Sequence, residues 1–458
     1  MTGGVWSPER RALTTGLVLT ITLVGLEALA VATIMPQVKD DLGGLGLYGW
    51  VFSAFPLAQM VGIVFAGQWA DRHGPAKPFA LGLALFAAGL VLGGFAPTMV
   101  VLVLARAIQG FGAGAIPSIA YVTIGRAYPE ALRPRMFAVL STAWVVPGLI
   151  GPGLAGVVAD HIGWRWVFLG LLPFVLPPGI VTVRALASIG PGAGDDSARG
   201  RLPLAIRVAV GAGMVMFGLT ADTGLLALAL VPIGIGVLLP AFRRLTPPGT
   251  LRAAPGLPAA VLVRGMATFA FFGVDAFVPL ALTDVRGTST TFAGLAITSA
   301  TLTWTIGAWV QERTIARVGA RTLVRTGQAC LVVGTAIFAL VLIDGFPLAI
   351  GILGWGIGGL GIGLTYSPLS VTVLAEATPG REGEATAALQ LTDVLGVAFG
   401  TGLAGAIVAA GDALDAELAP TIGLAYLVCG LMALAVVVVG RRLPAVRRDP
   451  RHVALEAA

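Results

Sequence analysis

The chain of 458 residues contains no asparagine, so it offers no N-glycosylation acceptor. Its two cysteines, Cys330 and Cys429, lie alone inside apolar runs. No disulfide framework or metal pair is readable from them, and both are expected to pack. Lysine occurs only at Lys39 and Lys77, beside 27 arginines. Such a bias suggests a GC-rich bacterial genome and says nothing of mechanism. Charged residues make up 11% of the chain, where a soluble domain carries about 25%. There is no G-x-x-x-x-G-K-[ST] phosphate loop, so the chain has no ATPase motor of its own. Neither a cofactor, a metal nor a nucleic-acid partner is expected.

What is abundant is apolar: 57% of residues, with a mean hydropathy of +0.91. A bilayer admits only helices or a closed barrel. The apolar runs far exceed the ~10 residues of a barrel strand, so the fold class is all-α and polytopic. Spanning runs fall at about 13–35, 48–70, 78–95, 99–121, 136–159 and 164–186. A Gly/Pro/Arg-rich linker follows, Ser188 to Pro203, then runs at about 204–221 and 224–241. After a second linker, Arg243 to Gly256, six more come at about 258–282, 291–312, 322–343, 346–370, 385–410 and 419–440. Fourteen helices are expected. The first run continues to about Met35, too long for a signal peptide, and reads as a retained helix.

The cations agree with that count. With both termini cytoplasmic, 25 of the 29 Lys and Arg fall in inner segments, three in outer loops (Lys39, Arg165, Arg286), and Arg106 lies within the membrane. This is a positive-inside pattern. The weakest run is 204–221, because Arg207 lies near its start, where it can snorkel to the inner surface. Dropping that run alone would put Arg243, Arg244, Arg313, Arg317, Arg321 and Arg325 outside, so 204–241 crosses twice or not at all. Two runs parted by Asp222-Thr-Gly224 favour twice. The expected organisation is a six-helix bundle over 1–187, a linker with two extra helices over 188–256, a second six-helix bundle over 257–443 and a cytoplasmic tail over 444–458.

Between the second and third runs lies Gly67-Gln-Trp-Ala-Asp-Arg-His-Gly-Pro-Ala-Lys77. Asp71 sits at a helix C-terminus, where an anion is unfavourable by about 0.3–1 kcal/mol unless it is paired. Arg72 and Lys77 are the local candidates. Gly67, Asp71, Arg72, Gly74 and Lys77 fall on a G-x-x-x-D-R-x-G-x-x-[RK] pattern. This resembles the gate loop of the major facilitator superfamily, which implies a cytoplasmic latch between two halves. The second copy, Glu312 to Arg321, keeps only Arg317, Gly319 and Arg321.

In the fifth run, Gly148, Pro152 and Gly156 recur every four residues and share one helix face. Pro152 removes a backbone hydrogen bond and favours a bend, and the glycines admit another helix closely. With Gly151, these residues resemble the G-x-x-x-G-P-x-x-G-G signature of drug:proton antiporters in the superfamily, which implies an exporter. Arg106, Gln109, Gly110, Gly112 and Gly114 resemble its fourth-helix R-x-x-Q-G-x-G-x-G pattern. Gly163 to Phe168 resembles a G-W-R-W-x-F segment. Ala32-Thr-Ile-Met-Pro36 resembles the end of the first helix in fourteen-helix drug:proton antiporters, where this chain has Glu27 in place of the usual Asp. The resemblance covers the whole chain and is specific over residues 27–168.

Four charges are read as intramembrane: Glu27, Arg106, Asp275 and Asp393. Each would cost about 2.5–3.5 kcal/mol on insertion scales, so each is expected to have a cavity or a partner. Glu27 lies roughly 13 Å below the outer end of its run and Arg106 roughly 10 Å below the same surface. They are expected to face one another. Burial favours the neutral form of a carboxyl and a nearby cation favours the charged form. The pair is therefore a candidate proton switch, with Asp275 and Asp393 as further candidates. Gln109, Trp144, Phe272, Trp304 and Tyr366 are candidates for lining an apolar substrate cavity.

The expectation is a monomeric, multi-pass exporter in a bacterial inner membrane. It would exchange protons for lipophilic drugs by alternating access, with the proton gradient in place of a cofactor. A dedicated exporter of one endogenous metabolite or lipid is the alternative, and proton-coupled uptake is less favoured. An intramembrane aspartyl protease built on Asp275 and Asp393 lacks the expected G-x-G-D context, so an enzyme is not expected.

Overall fold

The computed structural model describes residues 4–129, 132–143, 145–191, 200–221, 224–378 and 381–445. The first group of helices comprises α1 (Arg11–Leu42), α2 (Tyr48–His73), α3 (Ala76–Gly94), α4 (Met99–Ala127), α5 (Arg133–Thr142), α6 (Val145–Ile162), α7 (Arg165–Leu169) and α8 (Leu172–Leu186). A hairpin follows, α9 (Arg201–Thr220) and α10 (Gly224–Leu245). The second group comprises α11 (Leu257–Asp275), α12 (Val278–Leu280), α13 (Thr290–Ala339), α14 (Leu348–Glu376), α15 (Glu382–Ala413) and α16 (Leu418–Val439).

Among the described residues, twelve helices are long and apolar enough to cross a membrane, against the fourteen expected. Two causes account for the difference. The run expected at 136–159 is divided between α5 and α6, leaving Val146–Ile162 as a shorter apolar helix. The runs at 291–312 and 322–343 are joined in the 50-residue α13. Elsewhere the helices overrun their apolar cores. Thus α1 passes through Pro36, where the sequence suggested an end, and continues to Leu42.

The long α13 is not straight. Gly319 within it has φ 79° and ψ 159°. Gly74, which separates α2 from α3, has φ 82° and ψ 165°. The two glycines hold corresponding places in the two copies of the gate loop, and this left-handed conformation strains any residue with a Cβ. Packing fixes the direction of the chain after Gly319. On α14, Gly359 lies against Ala300 and Gly363 against Trp304, so the first part of α13 runs parallel to α14. Gly361 lies against Gly327 and Gly334 against Gly354 and Gly358, so the second part runs antiparallel to it. The chain therefore reverses at Gly319. With that reversal, the helix ends at His73 and Ala76, at Leu186 and Arg201, at Leu245 and Leu257 and at Glu376 and Glu382 share one face with both described chain ends. Those at 42–48, 94–99, 285–290 and 342–348 share the other.

Small residues set the helix spacing, as expected where lipid removes the hydrophobic drive between helices. Gly110 and Gly114 of α4 lie against Phe55 and Gln59 of α2, and Gly62 of α2 lies against Phe111. In the hairpin, a Cβ on Gly211 would lie 2.6 Å from the Gly234 carbonyl oxygen, and the converse holds at the same distance. The hairpin straddles both groups. Trp50 Nε1 of α2 donates to Thr220 Oγ1 at 3.0 Å, and Met216 packs on Gly402 of α15. Asp222, between its two helices, lies outside the described residues.

The reversal at Gly319 predicts that single cysteines at Gly287 and Asp344, on a background lacking Cys330 and Cys429, label from the same side of sealed vesicles. A cysteine at Arg317 labels from the other side. Labelling of positions 287 and 344 from opposite sides would show that α13 crosses only once.

Candidate functional site

At the centre of the first group, Glu27 falls midway along the 32 residues of α1 and is fully buried. Arg106, on the second turn of α4, is 3% exposed and forms an ion pair with Glu27 Oε1. The same guanidinium donates to Gln109 Oε1 at 2.6 Å and to the Val51 carbonyl at 3.4 Å, and stands 4.3 Å from the Phe55 ring centroid. Regular helical rise puts the two charges at one level, and the glycines of α4 bring α2 close enough to supply Val51 and Phe55. One oxygen of the carboxyl, Glu27 Oε2, and one nitrogen, Gln109 Nε2, are buried with no hydrogen-bond partner among the described residues.

The second group carries a different ion pair. Arg264 of α11 donates through Nε to Asp393 Oδ1 of α15 at 2.7 Å and through Nη1 to the Tyr366 carbonyl at 2.7 Å. Tyr366 of α14 donates from its hydroxyl to Asp393 Oδ2 at 2.7 Å, and its ring lies under the guanidinium. Both oxygens of Asp393 are thereby engaged. The cation count places Arg264 among the inner segments, although it falls within the run 258–282. Instead it is 4% exposed and is the partner that Asp393 required. Its signal was a lone arginine seven residues into the run 258–282.

Aromatic rings connect this pair to Asp275. Tyr366 meets Trp304 at 5.3 Å between centroids, Trp304 meets Phe271 at 5.4 Å and Phe272 at 6.3 Å, and Phe271 stacks on Trp355 at 5.0 Å. Trp355 Nε1 then donates to Asp275 Oδ1 at 3.0 Å. Of the residues expected to line a cavity, Phe272, Trp304 and Tyr366 come together here, each half-buried. Gln109 instead belongs to the Glu27–Arg106 cluster, and Trp144 lies outside the described residues.

Residues 17–366 match the Major Facilitator Superfamily. The chain belongs to this superfamily. Relatives include the cephamycin export protein of Amycolatopsis lactamdurans, 31% identical over 95% of this chain and 93% of that protein. A multidrug transporter protein of Bacillus subtilis is 26% identical over 90% and 78%, and a probable multidrug-efflux transporter of Mycobacterium tuberculosis is 26% identical over 96% of each. Among solved structures, a D-xylose–proton symporter aligns with a TM-score of 0.68 at 14% identity, covering 95% of this chain and 98% of that one. At that identity the likeness is one of fold alone. The chain is a multi-pass membrane protein of a transporter superfamily.

Of the motifs read from the sequence, the α6 signature lies where the two groups meet, whereas the gate-loop and α4 motifs lie within the first group. Gly148 of α6 packs on Thr301, Gly156 on Thr290 and Thr291, and Pro152 on Gly294, all of α13, while Gly151 turns to Leu26 of α1. The α6 signature thus forms a seam between the groups, and the helix is continuous through Pro152. In the gate loop, Asp71 pairs with neither Arg72 nor Lys77, both exposed. Its partner is Arg126 Nη2, 2.7 Å away at the end of α4. The α2–α4 packing that sets Gly67 beside Ser118 brings the two helix ends together, and a cation 55 residues away wins over its neighbours. This contact stays within the first group. The groups are clasped at the other face. Gln37 Nε2 donates to Asp160 Oδ1 and Thr290 Oγ1, each at 2.7 Å, and Lys39 pairs with Asp284. Asp160 Oδ2 accepts from the Thr291 backbone at 3.0 Å and its hydroxyl at 2.6 Å, so α6 caps the N-terminus of α13.

The Asp71 and Arg126 side chains are 31% and 22% exposed, so solvent screens the pair. A double-mutant cycle with Asp71→Asn and Arg126→Gln is expected to give a coupling of about 1 kcal/mol or less in thermal unfolding. A coupling well above that would mean that the pair is shielded from solvent more than its exposure implies.

Proposed function

We propose that this chain is a proton-coupled exporter of lipophilic small molecules, an antiporter working by alternating access. In this reading α5 and α6 make one crossing and α13 makes two. The chain then crosses a bacterial inner membrane fourteen times as a monomer, with both termini cytoplasmic, as the distribution of arginines favours. The observation that carries the reading is Glu27, a carboxyl at mid-membrane held by a single arginine and with one oxygen unoccupied. That free oxygen is the atom a proton takes. Protonation removes the anion's half of the pair and leaves Arg106 on Gln109, Val51 and Phe55. The arginine is then free to answer a change in the spacing of the helices.

Export, rather than uptake, is supported by the α6 seam and by relatives named for multidrug efflux and cephamycin export. The clasp of Gln37, Lys39, Asp160 and Asp284 suits a state closed to the outside and ready to load from within. In the second group, Phe272, Trp304 and Tyr366 offer ring faces beside Asp393, an arrangement suited to a lipophilic cation that displaces Arg264 from the carboxylate. The cephamycin exporter favours a second reading, in which one endogenous compound is carried by the same mechanics.

The test is a substrate-induced pH change in proteoliposomes containing the purified protein. Glu27→Gln is expected to abolish export driven by a pH gradient while leaving dye binding measurable. Proton-coupled export at the wild-type rate in that variant would move the coupling site to Asp275. Asp393→Asn is expected to weaken binding of a lipophilic cationic dye by about tenfold, the loss of one charge-assisted contact. Unchanged affinity would place the substrate elsewhere.

A further inference from the structure

The hairpin leaves a groove on its second-group side. Between α10, α11 and α15 lies a pocket of about 320 Å³, walled by Leu239 and Phe242, by Leu262 and Met266, and by Leu395 and Phe399. Its one polar wall residue, Thr392, spends its hydroxyl on the Val261 carbonyl at 2.7 Å. The volume is that of a ligand pocket, but a small-molecule site needs a few polar groups to fix orientation, and this one presents none. The walls suit a hydrocarbon chain.

The rim differs sharply from the walls. Phe242 is followed at once by Arg243 and Arg244, and Leu251, which also lines the pocket, is followed by Arg252. All three arginines are exposed, and none has a carboxylate partner among the described residues. Arg442 donates to the Arg252 and Ala253 carbonyls and so pins the turn that carries Leu251 and Arg252. Three cations without a carboxylate partner among the described residues thus follow directly on pocket-lining residues, at the end of α10 and in the turn after it, on the face that carries the chain ends. Basic sites between helices on the cytoplasmic side suit acidic lipid headgroups.

We propose that this groove binds one acyl chain of an anionic phospholipid, whose phosphate is held by Arg243, Arg244 and Arg252. The lipid wedges α10 against α11 and α15 while α9 holds α2, and so ties the hairpin to the second group. Assigning it to the inner leaflet rests on the orientation given under the proposed function; the binding itself does not.

The test is native mass spectrometry of the full chain in detergent, titrated with palmitoyl-oleoyl phosphatidylglycerol and with phosphatidylcholine of the same chains. Phosphatidylglycerol is expected to bind preferentially. Replacing Arg243, Arg244 and Arg252 with Gln should weaken it by roughly fivefold per arginine while sparing phosphatidylcholine. Leu239→Trp, which fills the slot, should weaken both lipids, and glycerol 3-phosphate should displace neither. Equal binding of the two lipids in the wild type, or phosphatidylglycerol binding unchanged in both variants, overturns the proposal. Displacement by glycerol 3-phosphate would reduce the site to a phosphate patch. A dimer that vanishes in Leu239→Trp would assign the groove to a second copy of the chain; either result overturns the proposal. No gradient or substrate is involved, so failure here leaves the export reading standing, and failure of that reading leaves this one standing.

Discussion

A guanidinium at bilayer depth has no water to satisfy it, and much of the first group is built to satisfy one. Arg106 takes its charge partner from α1, a carbonyl and a ring face from α2, and a side-chain amide from its own helix. These contacts need α2 and α4 nearly backbone to backbone, and Gly62, Gly110 and Gly114 permit that approach. The same contact line, followed to the face of the chain ends, brings Arg126 to Asp71. The buried ion pair and the gate-loop pair are thus two consequences of one close helix packing. A side chain wedged into that packing would disturb both at once.

The seam between the groups follows a related logic. On α6, residues four apart present Gly148, Pro152 and Gly156 to α13, and the C-terminal turn of the same helix sets Asp160 over the first amides of α13. Close packing and an inter-helix cap therefore act on the same pair of helices. Parting the groups at this face means exposing the Thr290–Thr291 amides and freeing Gln37 and Lys39 together. Contacts of this kind break as a unit, which favours two discrete arrangements of the groups over a continuum.

How much of this could be read from the residues depended on the range of the interaction. The level of Glu27 and Arg106 could be read because helical rise is uniform, so two positions counted from one surface meet at a calculable depth. The α6 face could be read because its residues recur with the helical period. The partner of Asp71 could not, because local sequence offers Arg72 and Lys77, while packing offers Arg126 across two helices. Arg264 was missed for a different reason: counting cations by side treats an arginine near a run's end as solvated, whereas an acidic neighbour on another helix lets it stay buried. The helix count came apart at α5–α6 and at α13, where a glycine turn so tight that helical bonding flanks it on both sides leaves no gap.

The two groups solve the charge problem with opposite assignments. In the first, the carboxylate is on the opening helix and the arginine on a later one; in the second, Arg264 is on the opening helix and the carboxylate, Asp393, on α15. The satisfaction of the two acids differs accordingly. Asp393 spends one oxygen on Arg264 and the other on the Tyr366 hydroxyl, whereas Glu27 keeps an oxygen free. A carboxylate with both oxygens engaged resists a proton and can be reached only by a group that displaces its partners. A carboxylate with one oxygen unpartnered among the described residues can take a proton there without displacing a neighbour, and loses its charge pairing with the arginine in doing so. In the export reading proposed above, the asymmetry separates two tasks, with proton exchange assigned to the first group and displacement by a cation to the second. The row of rings from Tyr366 to Trp355 leads from that second site toward Asp275, which takes one hydrogen bond, from an indole, and pairs with no cation among the described residues.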